Sequence, residues 1–127
     1  MADPELDWSS ASVTNGDVVV YWKGDGDLDE FFVAALPRMV ERFHSEARGQ
    51  RWGSIKLIKN GLSVAAVEAG TEDQLMRYLQ EIIEASGRAA EEDRRRADQE
   101  TTRRADSERQ READDEAMAR RFRELSS

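Results

Sequence analysis

The chain has 127 residues, 39% hydrophobic and 36% charged, with no cysteine and a formal net charge of −8. This length leaves room for one ordinary domain, and the lack of cysteine excludes disulfides and thiolate metal sites. Residues 1–30 carry eight acids against Lys23, a balance of −7, and residues 31–127 carry −1, which excludes a uniformly positive surface for nucleic acid or anionic membrane.

The opening "MADPELDW" has neither a basic start nor an apolar run, so no signal peptide is expected. Residues 1–10 are expected to be flexible. No window approaches the roughly 18 apolar residues that a membrane span needs. A soluble, cytoplasmic protein is expected.

Asn15-Gly16, between "SASVT" and "DVVVYW", reads as the tight turn of a first hairpin, because both residues tolerate the positive φ of a type I′ turn. The next stretch, "YWKGDGDLDEFF" (Tyr21 to Phe32), crowds four carboxylates beside two glycines. A calcium loop starting at Asp25 matches Asp27 and Asp29. It fails at its sixth position, Glu30 where glycine is needed, and at its twelfth, Leu36 where glutamate is needed. A phosphate cradle fails on charge. A helix start fits every residue: Asp27 as N-cap, Glu30 closing a capping box, and Asp29 with Glu30 at the positive end of the helix dipole.

Leu28, Phe32, Ala35, Leu36, Met39, Val40 and Phe43 recur at helical spacing and predict one buried stripe. Pro37 interrupts it, which predicts a kink or two short helices, and Gly49 is a plausible stop. His44 is the only histidine, so any histidine-based triad or metal site within one chain would rest on it alone. No serine sits in a nucleophile-elbow context. Neither an enzyme, a cofactor nor a bound metal is expected.

Asn60-Gly61 marks a second hairpin, with Lys59 paired to Leu62, Leu57 to Val64 and Ile55 to Ala66. Ile55, Leu57, Leu62, Val64 and Ala66 then share one apolar face. Thr71 and Gln74 read as a capping box, and Leu75, Leu79, Ile82 and Ile83 form the buried stripe of a last helix. The order ββαββα predicts an α+β fold, a two-layer sandwich with an antiparallel-rich sheet under helices, followed by a long, highly charged C-terminal helix.

The expected division is a compact head over 1–87 and a charged helical extension over 88–127. Residues 88–125 include 23 charged side chains among 38, with Met118, Phe122 and Leu125 as the large apolar ones. "RRADQETT", "RRADSERQ" and "READDEAM" repeat every eight residues from Arg95. Eight residues overshoot two turns by about 80°, so the alanines spiral and make no coiled-coil seam. Opposite charges recur at helical spacing, from Glu91–Arg95 and Glu92–Arg96 to Glu116–Arg120, each pair worth about 0.2–0.5 kcal/mol. A solvated helix continuing from Thr71, broken at Ser86-Gly87 or running about 80 Å unbroken, is the plain reading.

The sharper reading is that Met118, Phe122 and Leu125, with Arg121, dock on a protein partner or on a second copy as a homodimer. The function expected is a non-enzymatic protein–protein interaction module: an adaptor, or a regulatory or accessory subunit of a larger assembly. The Arg, Ala, Asp and Glu richness is what a GC-rich bacterial genome produces. The first alternative is a nucleic-acid-associated protein using Arg38, Arg42, Arg48, Arg51, Lys56 and Lys59 with Trp52, which the acidic balance disfavours. The second is a small-ligand-binding domain.

Overall fold

The computed structural model describes residues 4–24, 26–46 and 49–126. The elements are β1 (Leu6–Thr14), β2 (Asp17–Trp22), α1 (Glu30–Glu46), β3 (Ile55–Ile58), β4 (Gly61–Val64) and α2 (Glu72–Ser126), in the expected order. The strands form one antiparallel sheet in the order β1-β2-β4-β3, so β1 and β3 are its edges. The chain divides into two compact units, 1–91 and 92–127.

The first hairpin turns as its dipeptide dictates. Asn15 and Gly16 stand at φ 54° and 82°, and Thr14 pairs with Asp17. β1 opens at Leu6, earlier than the "SASVT" run, because Leu6 itself is buried in the core. Pairing runs Leu6↔Trp22 and Asp7↔Tyr21, then resumes at Ser12↔Val19, so β1 bulges between Asp7 and Ser12. Ser10 fills the broken ladder: its Oγ accepts from the Tyr21 N–H at 3.2 Å and donates to the Asp7 carbonyl at 2.6 Å.

The second hairpin departs from its expected register. Ile58 pairs with Gly61, Leu57 with Leu62 and Ile55 with Val64, leaving Lys59-Asn60 as the loop. Asn60 carries the positive φ, 66°, and Gly61 is a strand residue. Glycine is required there for space: a Cβ would press on the Val20 carbonyl oxygen and stand 3.0 Å from the Tyr21 Cα. The slip is two residues, so Ile55, Leu57, Leu62 and Val64 keep their shared face. Ala66 leaves that face; it lies past the strand, exposed at φ 51°, with its N–H given to Asp17 Oδ1 at 3.0 Å.

Both helices cover the face built from Val18, Val20, Leu62 and Val64. Phe32 and Leu36 of α1 and Leu75, Leu79, Ile82, Ile83 and Ala90 of α2 join them in one cluster. Trp22 meets Phe32 edge-on at 5.8 Å between ring centres, and Phe43 meets Tyr78 at 5.9 Å. The opposite sheet face carries Val19, Tyr21, Lys56, Ile58 and Ser63.

Helix starts differ in detail from the expectation. α1 is capped by Asp29, not Asp27: its Oδ1 accepts from the Phe31 N–H at 3.2 Å and its carbonyl from Val33 N–H at 3.0 Å. Pro37 does not divide α1, which runs as a single helix of 17 residues. At α2, Thr71 turns its hydroxyl back to the Glu68 carbonyl at 2.6 Å, and Glu72 Oε1 receives the Gly70 N–H at 3.2 Å in place of a Thr71–Gln74 box. Those backbone donors hold the Glu72 carboxyl below its usual 4.5.

α2 does not break at Ser86-Gly87. Ser86 is fully buried, with its hydroxyl bonded to the Ile82 carbonyl at 2.7 Å, and Ala90 is still part of the core. One glycine costs a helix about 1 kcal/mol, which that packing outweighs.

Candidate functional site

In the second unit, every described residue from Asp98 to Ser126 is exposed. Ion pairs at helical spacing support it, including Arg96–Glu92 at 3.8 Å, Arg109–Asp106 at 2.7 Å and Arg120–Glu116 at 3.7 Å. Against this polar background Met118, Phe122 and Leu125 are 59%, 66% and 70% exposed. Spacings of four and three put them on one face, and Arg121, three after Met118 and four before Leu125, joins it. The helix thus ends in an apolar tip with a cation set into it and Arg120 and Arg123 nearby.

The basic stretch does not converge. Lys56 lies on the open sheet face beside Ser63, whereas Arg38 and Arg42 are exposed on α1, which covers the other face. Lys59 is in the β3–β4 turn, and Arg48 falls outside the described residues. Arg42 is engaged with Glu46 at 3.5 Å and Arg51 with Glu68 at 3.7 Å. Trp52 is half-buried with its ring centre 5.2 Å from that of Tyr78, so its face is packed and not presented for stacking on a base.

His44 lies exposed in the last turn of α1, its Nδ1 3.0 Å from Gln50 Oε1. Gln50 in turn donates to the Tyr78 hydroxyl at 2.6 Å, and burial raises the Tyr78 pKa above 10.0 despite that bond. These groups border a cavity of about 460 Å³ with Pro37, Val40 and Ile55. A hydrogen-bonded chain that fastens the α1–β3 connection to α2 is a sufficient account of them.

A second concavity, missed by sequence reasoning, lies at the end of the sheet where β2 stops. It measures about 560 Å³ and is bounded by Tyr21, Trp22, Leu28, Val33, Leu57 and Ile58, with Asp27 and Asn60 at its margin. Tyr21 and Val33 are 44% and 37% exposed. The Trp22 Nε1–H beside it is buried and makes no hydrogen bond among the described residues. Of the carboxylates around the start of α1, Asp27 borders this concavity, while Asp29 caps the helix; Asp25 is outside the described residues.

Among the described residues no three or more His, Asp or Glu side chains gather as a metal site would need, and no helix is long and apolar enough to cross a membrane. Comparison of the chain with protein-family models, curated proteins and solved structures finds no match.

Proposed function

We propose that this chain works in the cytoplasm as a non-enzymatic protein–protein interaction module, an adaptor or accessory subunit that docks through the tip of α2. The observation that supports this reading is the reappearance of three large, two-thirds-exposed apolar side chains on one face after a long polar run. A helix that only needed solubility would have no use for them, and amphipathic anchors at such spacing suit a hydrophobic groove.

Fully burying each side chain is worth about 1.5–3 kcal/mol, so the three supply roughly 3–6 kcal/mol from their present exposure. Association costs about 4–15 kcal/mol, so apolar contact alone gives weak binding. Arg121, which shares that face, adds a cation, so an acidic receptor suits the tip better than a neutral one, while Arg120 is engaged with Glu116 at 3.7 Å. The nucleic-acid alternative draws less support, since its cations lie on two sides of the sheet and Trp52 is packed on Tyr78.

The test is co-purification from a cell extract with the wild-type chain and with a Met118→Ser, Phe122→Ser, Leu125→Ser variant. Specific partners should be lost with the variant and kept with Val13→Ser, which changes an exposed apolar residue elsewhere. Identical partners for all three would overturn the tip's role.

A further inference from the structure

The two edges of the sheet differ. β1 is blunted by its bulge, whereas β3 pairs with β4 in unbroken register and has no strand on its other side. The direction of its backbone groups follows from its neighbours. Trp22 gives its N–H to the Asn60 carbonyl at 2.8 Å, so Asn60, Leu62 and Val64 bond toward β2. Ala65 bonds the other way, giving its N–H to the Ser54 carbonyl at 2.9 Å and accepting from the Gly53 N–H at 2.6 Å. Gly61 and Ser63 therefore bond to Ile58 and Lys56 across the hairpin. Ile55 and Leu57 are left with N–H and carbonyl groups directed away from β4, at the free edge.

Burial falls off toward the same edge. Leu62 and Val64 are fully buried, whereas Ile55 and Leu57, on the same face, are only partly buried. Ile55 borders the cavity of about 460 Å³ whose apolar lining includes Pro37, Val40 and Tyr78, and which Glu41 also lines. On the opposite face Lys56 is exposed. Neither it nor Lys59, in the adjoining turn, has an ion-pair partner among the described residues.

We propose that the free edge of β3 captures an extended peptide of a partner protein, which adds antiparallel as a fifth strand. Backbone groups bond Ile55 and Leu57, an apolar side chain enters the cavity, and a carboxylate meets Lys56. An added strand alternates faces in step with β3, so residues opposite Ile55 and Leu57 turn toward the cavity and the one between them turns toward Lys56. The ligand class is thus an apolar–acidic–apolar segment. A carboxylate on the cavity side would be repelled by Glu41, and one on the other side answers an unpaired lysine.

A second copy's β3 is a poor occupant. Twofold pairing centred on Lys56 sets the two Lys56 side chains directly opposite each other, and like charges there oppose pairing. Shifting the register to part them runs this strand of four residues into a turn or connection. The tip of α2 is helical and cannot enter a ladder. The proposal lies wholly within unit 1–91 and does not rest on the tip.

The probe is a fluorescein-labelled peptide, Ser-Thr-Val-Glu-Val-Thr-Ser, titrated against the full chain by fluorescence anisotropy. Three comparisons accompany it: the peptide N-methylated at both valines, the peptide with lysine for glutamate, and the Lys56→Glu chain. Lys56 is exposed, so that variant should fold, which far-ultraviolet circular dichroism verifies. N-methylation should weaken binding about tenfold, through loss of two ladder bonds. Lys56→Glu should weaken the acidic peptide at least about fivefold and favour the lysine peptide, since an exposed attraction becomes a repulsion. Amide exchange should slow at Ile55 and Leu57 when the acidic peptide is bound.

No binding of the acidic peptide at millimolar concentration overturns the proposal, as does equal binding of its N-methylated form. Affinities that ignore the exchange of charge at Lys56 overturn it too. Slow exchange at Ile55 and Leu57 in a peptide-free dimer would overturn it in favour of a second copy.

Discussion

Gly61→Ala tests the sheet order that leaves β3 as an edge. β4 lies between β2 and β3, and Gly61 faces Tyr21 across the β2 ladder. An added methyl would press on the Val20 carbonyl oxygen and lie 3.0 Å from both the Val20 carbonyl carbon and the Tyr21 Cα, all of them backbone atoms. Backbone in a central ladder cannot swing aside as a side chain can. Overpacking of this kind costs about 1–3 kcal/mol. Parting β2 from β4 also weakens the neighbouring ladder bonds, each worth about 0.5–1.5 kcal/mol.

The sum, about 2–5 kcal/mol, is a large share of the roughly 5–15 kcal/mol expected for a domain of this size. Urea unfolding followed by tryptophan emission reports on this unit alone, because Trp8, Trp22 and Trp52 all lie within 1–91. In a thermal melt followed by the same emission, the midpoint temperature should fall by more than about 10 °C. Asn60→Gly is the matched control. It relieves a residue held at φ 66° and should be neutral or stabilising. If Gly61→Ala came within about 0.5 kcal/mol of wild type, typical of an inconsequential surface change, β4 would not lie against β2 in this register.

Asp29→Ala should cost about 1 kcal/mol through loss of the α1 cap, while Asp27→Ala should change stability little, as chemical denaturation will show. Phe122→Ala should leave the unfolding of unit 1–91 unchanged at concentrations where the chain is monomeric, because that side chain is two-thirds exposed and belongs to the other unit, 92–127. Burial raises the Tyr78 pKa, so the folded state holds that proton more tightly than the unfolded chain. The stability of the fold is unaffected by this group below pH 10.0 and declines as pH rises past that value. An ultraviolet titration of Tyr21→Phe, which leaves Tyr78 as the sole tyrosine, should show ionisation above the ordinary value.

The element order and the buried faces were legible because they rest on periodicity. Phe32 and Leu36 in α1, and Leu75, Leu79, Ile82 and Ile83 in α2, are where period-3.6 spacing places them. What failed depended on choices between neighbours of similar character. Asp27 and Asp29 are both good caps, and only the path of the chain into α1 selects Asp29. Asn60-Gly61 can turn in two ways, and the narrow passage beside Val20 selects the one that keeps Gly61 in the strand. Pro37 and Gly87 carry local penalties that tertiary packing overrides.

The tip of α2 could be read from sequence because Met118, Arg121, Phe122 and Leu125 are close neighbours along one helix. The concavity at the end of the sheet could not. Trp22, Val33 and Ile58 are separated by more than ten residues each, and Asp27 at its margin was fully explained, within the sequence, as part of a helix start. A basic patch inferred from proximity along the chain failed for the complementary reason, since Arg38 and Arg42 stand on a helix over one face of the sheet and Lys56 belongs to the other face.

Sedimentation velocity of the fluorescently labelled chain in cell extract, with wild type beside Phe122→Glu, most directly tests whether the tip of α2 is a docking element. The wild-type chain is expected to sediment faster in extract than in buffer, as part of a larger complex. Phe122→Glu is expected to sediment more slowly than wild type in the same extract. A wild-type chain whose rate the extract leaves unchanged, or a variant that is shifted equally, would contradict docking through the tip.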